Sequence, residues 1–216
     1  MPDTSFEIKS KYHGSFRCRL IVSPKPTGLA AILLPGGTAS LENHEAFTKL
    51  LATSGLICCV PENELFAQEY TIAQTSTEHR LEDLSAILEH LKELPKSNGK
   101  VAVIGFGNGG TLSYLSAARL SPDAAIIYQG RHIDKYLNEG RTINCQTVFH
   151  VGSQDPEIAG EVDHKIHAAL IGKFNIAIYK YEAGHAFADE QDKLNYVPEA
   201  ADKAHERTLK FLKQLV

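Results

Sequence analysis

The amino-acid sequence predicts an α/β fold: a mostly parallel central sheet with helices packed on both faces. Three observations carry that prediction. Short apolar runs alternate along the chain with amphipathic segments, the pattern of repeated βαβ units. The run "LAAILL" (29–34) is apolar throughout, as a strand covered on both faces must be. The chain has 216 residues, of which 43% are apolar and 22% charged, enough to close one sizeable core. The whole of 1–216 is therefore expected to form a single domain, with no internal repeat, low-complexity tract or linker.

Each element follows from its own pattern. "SFEIKSKYHGSFRCRLIV" (about 5–22) predicts an N-terminal β-hairpin that turns near Gly14. After strand 29–34 comes a helix near 43–54 and then the strand "LICCV" (56–60). Leu81, Leu84, Ile87, Leu88, Leu91 and Leu94 recur at helical spacing and mark one buried face. "SNGK" turns the chain into strand 101–105, and a helix is expected over about 109–120. Strands 124–128, 146–151 and 175–181 follow, with a helix near 159–171 and a closing helix over about 198–214.

Bulk properties narrow the function. The formal net charge is −4 and the cations form no basic stripe, which argues against a nucleic-acid partner. The first residues, "MPDTSFEIKSKYHG", lack a positive region followed by an apolar run, so no secretory signal is read there. The longest apolar stretches are too short to span a bilayer, and the expected location is cytoplasmic. Cys18, Cys58, Cys59 and Cys145 form no dense framework and read as small hydrophobes. Cys58 and Cys59 lie in one strand and should point to opposite faces.

In parallel sheets of this kind, ligands bind beyond the carboxyl ends of the strands, so the chemistry should lie in the loops there. Three such loops form an ordered set. "GFGNGG" is a strand-to-helix turn, "GSQDPE" offers Asp155, and "EAGHAF" offers His185. Nucleophile turn, acid, histidine is the chain order of the α/β-hydrolases. In such a site a nucleophile on a sharp turn stands clear of its own backbone. The histidine takes its proton, and the carboxylate fixes the imidazole tautomer and stabilises the imidazolium. "PGGT" follows the first buried strand, and the N–H groups of Thr38 and Asn108 would supply an oxyanion hole.

These segments resemble the dienelactone hydrolase family, small α/β-hydrolases with a Cys–His–Asp triad. The family's "G-x-C-x-G-G" turn after "SNGKV", its "G-x-x-D" acid loop and its "Y-x-x-A-G-H-x-F" histidine loop match "SNGKVAVIGFGNGG", "FHVGSQD" and "YEAGHAFA". The similarity runs from about residue 28 to "ERTLKFL". The resemblance implies a single-domain α/β-hydrolase fold and an ester or lactone substrate, with neither metal nor organic cofactor.

The departures carry as much information. The family's cysteine falls on Gly107, the vacated nucleophile position. Its glutamate after the first buried strand falls on Gly37, and the arginine after its histidine loop falls on Asp189. The segment between strand 56–60 and the following helix is shorter than the family's, where a second arginine would sit. Base and orienter are kept, while the nucleophile, its partner acid and the anion clamp are gone. A carboxylated dienelactone is a poor fit to such a site.

Loss of a nucleophile costs roughly 10^6 in turnover in a well-studied serine hydrolase, with about 10^3–10^4 over water remaining from the rest of the site. The first expectation is therefore a hydrolase-family protein with little or no covalent acyl transfer. A second reading keeps an enzyme in which His185, oriented by Asp155, activates water or deprotonates substrate directly. A third is a non-catalytic protein that binds a small ester-like ligand. A substitute nucleophile (Ser40, Ser153, Cys58 or Cys59) is disfavoured because none sits on the turn.

Several other residues have a plainer reading. Arg131 and His132 could touch a ligand but read first as a solvated loop. His164 and His167 are one helical turn apart and read as a surface pair, since no third metal ligand is evident. His150 reads as packed, and Glu62 and Glu64 as outside the chemistry. "GFGNGG" is not a dinucleotide fingerprint, because it does not open the first βαβ unit.

Overall fold

In the computed structural model, residues 3–12, 14–36, 44–62 and 74–216 are described. They form one eight-stranded sheet in the order β1-β2-β4-β3-β5-β6-β7-β8. The predicted hairpin is β1 (Asp3–Ser10) and β2 (Gly14–Val22), joined around a Gly14 of positive φ. β1 and β2 pair antiparallel, and β2 pairs antiparallel with β4 (Ile57–Glu62). Every other pairing is parallel. β3 (Ala30–Leu34) lies between β4 and β5 (Val101–Phe106), and β6 (Ala124–Tyr128), β7 (Gln146–Gly152) and β8 (Ile176–Tyr181) continue the sheet. The α/β class with a mostly parallel sheet is thus the observed one.

Two cores, one on each face, explain the apolar runs. α2 (Gln74–Lys92), α3 (Asn108–Arg119) and α4 (Glu161–Leu170) cover one face; α1 (Glu45–Thr53) and α5 (Pro198–Leu212) cover the other. The α2 stripe of Leu81, Leu84, Ile87, Leu88 and Leu91 is buried, each contributing about 1.5–3 kcal/mol of transfer free energy. Leu94, beyond the end of that helix, is only partly buried. Cys59 packs into the first core and Cys58 into the second, as strand alternation requires. All four cysteines are free.

One element was not expected, a 3-10 segment over Ile133–Thr142. Its sequence has few apolar residues and no helical period. It is held from outside: Tyr114 of α3 donates its hydroxyl to the carbonyl of Tyr136, and Ile133 is buried. No helix of the described residues is long and apolar enough to cross a membrane.

Strand direction decides where the loops converge. β3 and β5 run side by side, with Leu34 opposite Gly105, so Pro35–Gly36 and Gly107 leave the sheet at neighbouring carboxyl ends. The connections from β3 and β5 go to helices on opposite faces, and this is the switch point at which such sheets open a crevice.

Candidate functional site

Gly107 sits between β5 and α3 with φ 50° and ψ −115°. Its backbone is fixed on both sides. Its N–H donates to the Tyr128 carbonyl, and its own carbonyl accepts from the N–H groups of Thr111 and Arg131. Among the described residues, a Cβ placed here would meet the Gly36 Cα at 3.4 Å and the Arg131 Cδ at 3.9 Å. The turn therefore has a sharp backbone of positive φ, no side chain, and no close contact to a Cβ among the described residues.

Gly36 at that distance puts the start of the "PGGT" loop against the turn. Gly37, Thr38 and Ser40 lie outside the described residues, as does Glu64. Asn108 opens α3 and its N–H has no intrahelical acceptor, as for any first-turn residue. Its side chain is buried, and Oδ1 has no hydrogen-bond partner among the described residues.

Asp155 and His185 are brought together. His185 Nδ1 lies 2.9 Å from Asp155 Oδ2, in the geometry of a donated N–H, which leaves Nε2 as the free ring nitrogen. Asp155 is fully buried, whereas the His185 side chain is 31% exposed, so the pair is anchored in protein and open at the imidazole. Asp155 Oδ1 accepts the Glu157 N–H at 2.9 Å. The Asp155 hydrogen bond raises the His185 pKa above its ordinary 6.5. Burial opposes the rise, and the negative charges of Asp155 and Glu157 reinforce it.

Two residues join the site that the sequence pattern does not reveal. Gln129 follows β6 in a left-handed backbone conformation, φ 48°, and is buried. Its Nε2 donates to the Gly184 carbonyl at 2.6 Å and approaches Asp155 Oδ2 at 3.4 Å. One amide thus ties the acid loop to the histidine loop. Glu157 forms a forked ion pair with Arg131, with Nε to Oε2 at 2.6 Å and Nη2 on Oε1. Arg131 is therefore half-buried beside Gly107, and the expectation of a solvated loop is corrected for it. Its neighbour His132 is half-buried too, with φ 60°.

Replacement of Gln129 by leucine should lower the His185 pKa toward 6.5, because a carboxylate held less firmly stabilises the imidazolium less. Proton NMR titration of the His185 ring checks this, and an unchanged value would mean that Gln129 only fills space. The sign for stability follows from the raised pKa. The pair stabilises the fold fully below pH 6.5, and that increment fades as pH rises through the folded-state value.

The remaining candidates fall away on geometry. Burial pushes the Cys58 thiol up to about 12 and the Cys59 thiol well above its ordinary value, so neither offers a thiolate. Ser153 is exposed beyond β7, and Glu62 faces Arg17 at 3.6 Å. His150 is fully buried and bonds Tyr181 and Thr208. His164 and His167 are exposed on α4, and His167 lies 3.2 Å from Asp163. Among the described residues, no three His, Cys, Asp or Glu side chains gather as a metal site would require.

Comparison with known proteins bears on the family and the fold. The model of the dienelactone hydrolase family matches residues 48–216. A carboxymethylenebutenolidase of Pseudomonas sp. (strain P51) is 35% identical over 133 residues, 62% of this chain and 56% of that protein. Carboxymethylenebutenolidase 1 of Cupriavidus pinatubonensis is 33% identical over the same shares. The chain thus matches little more than half the length of these curated relatives. Among solved structures, a dienelactone hydrolase-like promiscuous phosphotriesterase from metagenomic libraries superposes with TM-score 0.80 at 17% identity, covering 100% of this chain and 99% of that one. An esterase of Pyrococcus furiosus gives 0.77 at 15%, covering 99% and 91%. At these identities the likeness is one of fold.

Proposed function

The chain belongs to the dienelactone hydrolase family, and we propose that its site holds a small ester- or lactone-type molecule without forming a covalent acyl intermediate. One observation carries the reading. The turn at Gly107 keeps the strained backbone of a nucleophile position and, among the described residues, space for a Cβ, while the side chain that would attack is absent. In this reading the N–H groups of Asn108 and Thr38 face the ligand's carbonyl oxygen. Gly37, Arg131 and His132 border the bound molecule, and Asp155 orients His185.

A second reading rests on Gln129. A buried non-glycine residue held at φ 48° costs on the order of 1–3 kcal/mol, and here that strain accompanies the tie between the Asp155 and His185 loops. A dyad held this way can act as a general base on water in the space beside Gly107. The two readings share one test. The native chain is given 4-nitrophenyl acetate while product release and intact mass are followed. A linear, slow release with no acetyl adduct is expected. Loss of that rate in His185→Ala would select the general-base reading, and no rate at all would select binding alone. A burst with an acetyl adduct would overturn both.

A further inference from the structure

We propose that the chain carries a second ligand site, for a small aromatic anion, at the opposite end of the sheet from Gly107. A groove of about 340 Å³ lies between the edge strand β8 and the last turns of α5. That volume falls in the range of small-molecule sites. Its walls combine Val148, Tyr179, Phe174 and Phe211 with the cations Arg207 and Lys210, and no carboxylate lines it. The chain as a whole is acidic, at −4, so this groove inverts the local sign.

Arg207 is held for such a role. Its guanidinium lies 4.5 Å above the Tyr179 ring and 5.3 Å above that of Tyr181. Stacking on Tyr179 and a hydrogen bond to Tyr181 fix its plane, and the remaining N–H groups of a five-donor guanidinium can meet a carboxylate or sulfonate. Neither Arg207 nor Lys210 makes an ion pair among the described residues. The floor is rigid: Asn175 Nδ2 is bound to the carbonyls of Cys145 and Ile143, and its own carbonyl accepts the Thr147 N–H. Phe174 stands fully exposed at the rim, where a planar aromatic ligand would cover it.

A small anion fits better than a second copy of the chain. A two-fold contact centred on the groove would set Arg207 and Lys210 against their own equivalents, a like-charge pairing that costs affinity. The groove is also independent of the candidate active site. It opens at the amino ends of β7 and β8, and Asp155 lies past the carboxyl end of β7. About 13 Å of strand lies between Val148, the last β7 residue lining the groove, and Gly152 at that carboxyl end.

The test uses the ¹⁵N-labelled native chain and 2-naphthoate. Amide shifts are expected over residues 174–179 and 207–214, saturating with a Kd near or below about 1 mM, as a ligand of this size allows. Uncharged 2-naphthamide should bind about tenfold more weakly. Lys210→Gln, at an exposed position that folding does not need, should weaken naphthoate about threefold or more, and Arg207→Gln by more than that. Shifts confined to residues around Gly107 and His185 would overturn the proposal, as would naphthamide binding as tightly as naphthoate. No saturation by about 5 mM would do the same. Sedimentation that showed a dimer abolished by Phe174→Asp would assign the groove to a second copy instead.

Discussion

Gly107→Cys is expected to turn the chain into an acyl-transfer enzyme whose rate depends on His185. Among the described residues the geometry admits the side chain, since its Cβ would make ordinary contacts with Gly36 and Arg131. The backbone already holds φ 50°, ψ −115°, so no rearrangement of the turn is required. The new thiol would stand on the turn proposed as the nucleophile position, with His185 already oriented by Asp155. Hydrolysis of 4-nitrophenyl acetate should rise by about 10^3-fold or more, with an acetyl adduct visible by mass during the burst. Gly107→Cys with His185→Ala should lose most of the gain, because the thiol then has no base. A Gly107→Cys chain that is alkylated readily by iodoacetamide yet fails to hydrolyse ester would locate the defect elsewhere. The oxyanion donors would then be at fault, and the proposed roles of Thr38 and Asn108 would fall.

That experiment also separates what was legible in the sequence from what was not. The elements came through because burial imposes a period: five of the six apolar positions at 81–94 form one buried stripe, and 30–34 is buried at every residue. The meeting of Asp155 and His185 was legible because each is a titratable residue just past a strand end. Gln129 and Glu157 were not. Their partners are 26 residues away in each case, Asp155 and Arg131, and come close only because β6 and β7 are neighbours in the sheet. No local pattern in "YQGRHID" encodes that adjacency. Arg131 was read as solvated for the same reason, since nothing near it in sequence announces Glu157. The 3-10 segment at 133–142 likewise depends on α3, through Tyr114.

The glycines of the turn separate by cause, and their stabilities should separate with them. Gly105→Ala is expected to be severely destabilising. Its Cβ would lie 1.9 Å from the Gly109 carbonyl oxygen and 2.6 Å from the Gly110 nitrogen. Those atoms belong to the first turn of α3, so the helix would have to shift as a body against β5. A loss of about 4 kcal/mol is expected, at the upper end for overpacked sites. In a chain of this length that corresponds to roughly 10 °C in Tm. Gly109→Ala should behave alike, since its Cβ would meet the Leu34 and Pro35 carbonyl oxygens at 2.3 and 2.6 Å. Gly107→Ala meets no such obstacle. It carries the cost of an L-residue in a sparsely populated positive-φ conformation, about 1–3 kcal/mol, or a few degrees in Tm. Differential scanning calorimetry of the three variants tests the ordering. It bears on function because it asks why a glycine occupies each position. Gly105 and Gly109 are required by close backbone packing whatever the chemistry. Among the described residues nothing but its φ requires glycine at 107, and glycine is the unstrained occupant where no side chain is needed to attack. Equal losses at 105 and 107 would mean that packing demands the glycine at 107 as well. The absence of a nucleophile would then have a structural cause, and the room assigned to a thiol there would not exist.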